Sequence, residues 1–392
     1  MASNAIGVGF IGTSWMARVH AHALHTINHV APLARRIRLV TVAGRRPERT
    51  EQAARELGFD RPAPTWEAVV SDPQVAVVAN LAPDALHAPA SIAALQQGKP
   101  VLCEKPLARD PAEALAMVAA AEAAGVPSAC GFNYRFVPAI RLAREIVAAG
   151  RLGRLHHFRA VYLQDWAASP RVARTWRFER QSTGSGAVGD HSHIIDLLRY
   201  LAGEPVSATG ELGHFIRQRP DPSGSGELLP VEVEDAYAAA LRLDNGALAT
   251  LEASRVATGW KGRQVIELNG SDGSLWWDME DLNRLHVFFT TDEAAGLGGF
   301  RDVLVTQSDH PFMQHWWAPG HILGWEHTFV HQWRAFLEAV LAGQPLAADQ
   351  ASFVDGYRAV QISAAILTAA AEGRRVVLVD EQGTSWTRWS AR

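Results

Sequence analysis

Two cysteines in 392 residues leave no material for a disulfide framework. Both, Cys103 and Cys130, sit in apolar runs, where buried free thiols in a reducing compartment are expected. No apolar run reaches the roughly 20 residues that a membrane helix needs. The amino terminus, MASNAIGVGF, has neither a basic region nor an apolar signal core. Together these absences predict a cytoplasmic protein with no membrane partner. Net charge is only −4 and there is no basic stripe, which excludes nucleic acid as the main partner. Histidines cluster at His20, His22, His25 and His29, at Asp190-His191-Ser192-His193, and at Glu326-His327 with His331. None has a cysteine ligand, and none places glutamate directly after the first histidine as metalloproteases do, so no catalytic metal is expected.

What the chain does have is 48% apolar and 20% charged residues, the balance of a globular protein, at a length that calls for two domains. Residues 5–11 read as a buried strand followed by Gly12-Thr13-Ser14-Trp15-Met16-Ala17 and a helix. A literal GxGxxG at Gly7, Gly9 and Gly12 is a decoy, because starting the phosphate loop at Gly7 leaves only six residues for the strand before it. The workable register takes Gly12 as the tight-turn glycine, Ser14 in the second position and Ala17 as the close-packing residue. Loop amides and the positive helix end then face a dinucleotide pyrophosphate. The second strand, 37–43, ends in Gly44-Arg45-Arg46-Pro47 with no carboxylate for ribose hydroxyls. Arg45 and Arg46 therefore favour NADP over NAD, although arginine also stacks on adenine without a phosphate.

Strand and helix alternate onward: a strand at 75–81, a helix at 87–97, a strand at 101–105, and a helix opened by Asp110-Pro111-Ala112-Glu113 as cap, first-turn proline and capping-box glutamate. A further strand at 127–132 follows. Alternation of this kind predicts a parallel sheet with right-handed crossovers. In Val101-Leu102-Cys103-Glu104-Lys105-Pro106-Leu107 the proline ends the strand and sets Lys105 at its carboxyl end, where open parallel sheets bind ligands. From Asn133 the pattern changes to alternating segments at 156–163, 206–216, 234–243, 247–253, 265–269 and 274–278, several joined by Asn-Gly or Asp-Gly turns. Residues 219–226 read as a loop, 289–320 as irregular, and the end as helices at 327–341 and 353–372 with a strand at 376–379. The expected fold class is α/β: a Rossmann dinucleotide-binding domain, 1–132, and an α+β substrate and oligomerisation domain, 133–392, with a mainly antiparallel open sheet.

With these pieces placed, the chain resembles the Gfo/Idh/MocA (glucose–fructose oxidoreductase, inositol dehydrogenase) family. The matches are Gly12 to Ala17, the Pro83…His87 element, Glu104-Lys105-Pro106, Phe132-Asn133-Tyr134-Arg135, the Gly-rich segment 184–196, and Asp355-Gly356-Tyr357-Arg358. Gln164-Asp165-Trp166, Trp176-Arg177 and the segment from Trp316 to His327 look like the branch acting on cyclic sugars or cyclitols, to which levoglucosan and inositol dehydrogenases belong. The resemblance implies coenzyme contacts from Gly12, Thr13, Ser14, Trp15, Met16, Arg45, Arg46, Pro83, His87, Glu104, Lys105 and Asn133. It also implies that Lys105, Asp190 and His193 are the catalytic set beside the nicotinamide. The family's D-x-G-S-H spacing is one residue longer than Asp190-His191-Ser192-His193, so either one residue is deleted or His191 takes over part of the aspartate's work. At i and i+3 on a helix the two side chains would still share a face.

The chemistry expected of this set is oxidation of a secondary alcohol. His193 has suitable basicity near neutrality, and Lys105 can stabilise developing alkoxide charge; either could take the hydroxyl proton. Asp190 would orient the imidazole or bind a second hydroxyl. Sugars present C–H faces and hydroxyl rims, which suit indole, amide, carboxylate and guanidinium partners. Tyr134, Gln164, Asp165, Trp166, Trp176, Arg177 and His321 are accordingly the remaining substrate candidates, beside Lys105, Asp190 and His193. The rival expectations are a sugar hydrolase, epimerase or eliminating enzyme that retains its nicotinamide, and a nucleotide binder without chemistry. A homo-oligomer, dimer or tetramer, is expected from the open sheet.

Overall fold

Strand β1 (Ala5–Ile11) is buried along most of its length because helices cover both faces of the sheet it belongs to. In the computed structural model, which describes residues 5–378, β1 is flanked by β2 (Arg36–Ala43) and β4 (Val77–Asn80), both parallel to it. The sheet is completed by β3 (Arg61–Ala63), β5 (Val101–Cys103) and β6 (Ser128–Cys130) in the order β3-β2-β1-β4-β5-β6, with every pair parallel. Helices α1 (Trp15–Val30), α2 (Pro47–Leu57), α3 (Trp66–Ser71), α4 (His87–Gln96) and α5 (Pro111–Ala124) supply the crossovers. This is the Rossmann arrangement the alternation predicts.

The register of the phosphate loop follows from three glycines. A Cβ on Gly7 would lie 2.0 Å from the Gln74 carbonyl oxygen, and one on Gly9 would lie 2.7 Å from the Val69 side chain, so both serve close packing within the strand. Gly12 has φ +115°, donates its N–H to the Ala43 carbonyl at 2.8 Å, and leaves 2.4 Å between a hypothetical Cβ and the Leu81 oxygen. The turn therefore begins at Gly12 and not at Gly7. At α5 the cap is Asp110, whose carboxylate accepts the Glu113 N–H at 2.9 Å. Glu113 departs from the expected capping box: it reaches Arg109, both backbone N–H and guanidinium, which bids more strongly for a carboxylate than an amide does.

The chain divides into two compact units, and neither is continuous in sequence. The first comprises residues 1–136 with 324–358, the second 137–323 with 359–392. The sequence reading kept 133–392 together. In the first unit, α10 (His327–Ala342) packs on α1, and the Ala351–Ser352 segment bonds the outer edge of β6 through the Cys130 N–H. That contact covers an otherwise open edge strand. The division falls within α11 (Phe353–Glu372).

The second unit is built on a nine-stranded, mainly antiparallel sheet. Its strands are β7 (Leu155–Leu163), β8 (Pro205–Gly213), β11 (Ala236–Leu243), β12 (Leu248–Ser254), β13 (Arg263–Gly270), β14 (Gly273–Asp278), β15 (Arg284–Phe289), β16 (Arg301–Leu304) and β17 (Val376–Val377). The β7–β12 pair alone is parallel. Helix α6 (Pro138–Ala148), the short α7 (Arg180–Thr183) and α8 (Ala187–Asp190), and α9 (His193–Ala202) precede or interrupt these strands, and α6, α8 and α9 pack on the sheet. Two expectations need correction. The loop at 219–226 is the tip of a small hairpin, β9 (Gln218–Pro220) with β10 (Leu228–Pro230), and the irregular stretch contains β16. Prolines within such short strands hide the alternation that would reveal them. Of the predicted closing strand, Val379 lies outside the described residues.

Candidate active site

In the first unit, β5 ends at Cys103 and delivers Glu104 and Lys105 at the carboxyl edge of the sheet. Lys105 is half-buried, whereas Glu104 is buried at 7% exposure. One Glu104 oxygen meets His20 Nε2 at 2.9 Å, and the other accepts the Lys105 backbone N–H at 3.2 Å. The far side of the His20 ring settles its tautomer. Trp333 Nε1 lies 2.8 Å from His20 Nδ1. An indole nitrogen can only donate, so Nδ1 must accept, and the imidazole proton sits on Nε2, directed at Glu104. Burial alone would raise the Glu104 carboxyl, but the His20 hydrogen bond and the neighbouring charges outweigh it and hold the group below its ordinary value. Phe10 and Phe329 close around the His20 ring, at centroid distances of 6.4 and 5.1 Å. Sequence reasoning saw His20 only as part of a possible metal cluster; its role is structural, and nothing in the local pattern pointed to Trp333.

His87 is also inaccessible. Its Nδ1 lies 2.8 Å from the Pro106 carbonyl and its Nε2 2.9 Å from that of Ala82. Two acceptors, one on each nitrogen, suit an imidazolium that donates twice. Burial lowers the pKa of this ring, but Cys103, Asp84 and the Pro106 carbonyl together raise it to about 10. His87 thus ties the residue following Lys105 to the loop after β4, and Pro83 of that loop is exposed. Asn133 donates to the Thr328 hydroxyl at 2.7 Å, and the Tyr134 hydroxyl accepts from Trp325 Nε1 at 3.2 Å. Trp15, 57% exposed, stacks on Trp325 at 5.8 Å.

The phosphate loop fits a dinucleotide. Helix α1 has no acidic residue in its first turn, and the Ser14 side chain makes no capping bond, so the helix end that would face a pyrophosphate keeps its positive character. Thr13 lines a cleft of about 240 Å³ with Arg18 and Arg49, and Arg45 and Arg46 are exposed at the end of β2.

In the second unit the Asp/His segment is not one helix. Helix α8 ends at Asp190, α9 starts at His193, and His191 and Ser192 form the break, so the expected i, i+3 face does not exist as such. His191 turns inward: Nδ1 is 3.0 Å from the Ala187 carbonyl, Nε2 is 3.2 Å from the Gln164 amide oxygen, and the ring meets Tyr162 edge-on at 4.6 Å. His193 is buried, 6.4 Å from the same tyrosine ring. Asp190 is paired with Arg255, Nε to Oδ2 at 3.2 Å. Beneath the segment, Glu234 Oε1 accepts the N–H groups of Gly186 and Val188 at 2.7 and 3.0 Å. Trp166, Trp176 and Arg177 are half-buried, with the Arg177 guanidinium over the Trp176 ring at 4.4 Å. Asp165 is turned to Lys261, 2.5 Å away, whose hydrogen bond holds the carboxyl below its usual range. His321 is exposed, with Nδ1 on the Ala318 carbonyl at 2.8 Å. Arg255 and Glu234 escaped sequence reasoning because a charged residue inside a strand region carries no local sign of burial.

Among the described residues no three His, Cys, Asp or Glu side chains group to hold a metal, and no helix is long and apolar enough to cross a membrane.

A Rossmann sheet with a fitted phosphate loop, followed by an open mixed sheet, defines the class of the protein as a two-unit, nicotinamide-dependent oxidoreductase. Residues 6–132 match the oxidoreductase family with an NAD-binding Rossmann fold, and residues 140–276 match the GFO/IDH/MocA C-terminal domain. A curated levoglucosan dehydrogenase of Pseudarthrobacter phenanthrenivorans is 35% identical over 382 residues, 94% of this chain and 96% of that protein. A solved structure of levoglucosan dehydrogenase in complex with NADH superposes with a TM-score of 0.91 at 35% identity, covering 96% of this chain and 99% of the other. The crystal structure of an oxidoreductase domain protein from Kribbella flavida gives 0.91 at 39% identity, over 97% and 100%. The chain belongs to the Gfo/Idh/MocA oxidoreductase family.

Proposed function

We propose that the protein is an NAD(P)-dependent dehydrogenase that oxidises a secondary hydroxyl of a cyclic sugar, glycoside or cyclitol to a ketone, or runs the reverse reaction. The observation that carries this reading is the full-length similarity to a relative named for levoglucosan oxidation, in a chain that keeps Lys105 at the end of a strand. A bound nicotinamide supplies the hydride acceptor. Lys105 of the first unit hydrogen-bonds the reacting oxygen and steadies its negative charge; within the second unit, His193 is the candidate proton acceptor and Asp190 the candidate hydroxyl partner. Arg45 and Arg46, without a carboxylate beside them, favour NADP, while the NADH complex of the relative favours NAD.

The test is a reduction assay over a panel of anhydrosugars, sugars and cyclitols with each coenzyme in turn. Net accumulation of reduced coenzyme with a cyclic polyol is the expected result. A tightly held coenzyme that cycles without net reduction, while the sugar is isomerised or dehydrated, would replace the dehydrogenase by the retained-coenzyme alternative.

A cytoplasmic homo-oligomer completes the proposal. The face of the nine-stranded sheet around Val161, Thr209, Ala238, Ala240 and Thr250 forms a shallow depression of about 520 Å³, lined by small and apolar side chains together with Arg159, Glu211 and Glu252. A second copy would cover it. Sedimentation is expected to give a dimer or tetramer, and Ala240→Arg, in the lining of that face, is expected to dissociate it; a wild-type monomer at micromolar concentration refutes this part.

A further inference from the structure

One guanidinium in the second unit touches several of the candidate pocket segments at once. Arg255 follows directly on β12 and is 1% exposed. Its Nε holds the Asp190 carboxylate at 3.2 Å, a terminal nitrogen donates to the Arg177 carbonyl at 3.1 Å, and its Cζ lies over the Trp166 ring, 5.4 Å from the centroid. Its backbone is tied in as well. The Arg255 N–H donates to the Asp235 carbonyl at 2.8 Å, and the Arg255 carbonyl accepts from Ala167 at 3.1 Å. A second buried arginine, Arg219, braces the same loop from the hairpin side. It donates to the carbonyls of Ala167 and Ser169 and stacks at 4.3 Å on Phe178, whose ring lies 5.7 Å from Trp166.

We propose that Arg255 is the positioning residue of the substrate pocket, the one side chain that sets Asp190, Trp166 and the Arg177 backbone in register with one another. This rests on the reading of those residues as a polyol site. The geometry needs a rigid fork with donors on two edges and a cation centred over the indole. Lysine gathers its three donors on one nitrogen, so it cannot span the separate sites that Nε and a terminal nitrogen of Arg255 occupy. A charge at this position is therefore not sufficient, and shape decides. The arrangement also explains how the shortened Asp190-to-His193 spacing is accommodated: Asp190 is fixed from the sheet by Arg255 and does not rely on helical continuity with His193.

The experiment compares Arg255→Lys with wild type in the full-length enzyme, with three readouts. KM for the best polyol of the panel is expected to rise at least about tenfold, because a misplaced binding group weakens ground state and transition state alike. The Kd for reduced coenzyme, followed by nicotinamide fluorescence, should stay the same, since that loop belongs to the other unit. Limited trypsin digestion should cut faster at Arg171, Arg174 or Arg177, all in the loop that Arg255 gathers. Asp190→Asn combined with Arg255→Lys is expected to raise KM no further than the worse single variant. Unchanged nicking, or multiplicative KM effects in the double variant, would overturn the proposal. If no polyol supports coenzyme reduction by the wild type, the functional reading fails by itself, and the nicking rate still decides whether Arg255 gathers the loop.

Discussion

Replacement of Lys105 by alanine is expected to lower kcat by about 10³-fold, equivalent to about 4 kcal/mol of transition-state stabilisation. The physical reason is that negative charge grows on the substrate oxygen only as the reaction proceeds, so an ammonium held by a stiff strand end acts on the transition state more than on the bound substrate. KM and coenzyme affinity should change far less than kcat. Lys105→Arg separates the two remaining roles, because arginine keeps the charge and cannot give up its proton. Substantial activity in that variant would show that the proton is taken by a group other than Lys105. Activity as low as in Lys105→Ala would leave the lysine as the base. Full turnover by Lys105→Ala, measured under saturating substrate and coenzyme, would remove the residue from the chemistry.

The second large effect concerns the buried line from Trp333 through His20 to Glu104. His20→Leu leaves the Glu104 oxygen and the Trp333 N–H without their partner in a closed aromatic environment, and is expected to cost about 3 kcal/mol at pH 7. Glutamine at the same place offers both a donor and an acceptor, and His20→Gln should recover most of the loss. The pH dependence has a definite sign. The Glu104 carboxyl titrates below its ordinary 4.5 in the folded protein, so its contribution to stability is fully present above that value and is lost as pH falls through the folded pKa. The gap between wild type and His20→Leu should therefore be widest near neutrality and close on acidification through that window. Urea unfolding at a series of pH values measures it. Equal stability of the leucine and glutamine variants would show that the ring only fills space.

These two predictions differ in how much of their basis could be read from the chain. Lys105 was legible because proline marks the strand end and parallel sheets bind at their carboxyl edges, a rule that needs no contact map. The phosphate loop was legible for the same kind of reason: the length of β1 excludes Gly7 as its start, and the positive φ at Gly12 agrees. His20 was visible as a residue but not as a link, since its partners lie 84 and 313 positions away. The small hairpin and β16 were missed because strands of three or four residues, two of them containing proline, carry too little alternation to detect. The interruption of the helix between Asp190 and His193 was likewise invisible, because helical spacing in sequence does not reveal where carbonyls find other donors.

The sequence by itself determined the alternation of strands and helices, the register of the dinucleotide loop, the position of Lys105 and the family, all of which depend on neighbours along the chain. Only the tertiary structure decided which way the His20 proton points, that Asp190 answers to Arg255, and that residues 324–358 belong with the first unit. Each of those depends on a buried polar group finding its partner. The cost of leaving such a group unsatisfied fixes the pairing in space, and sequence separation does not enter it.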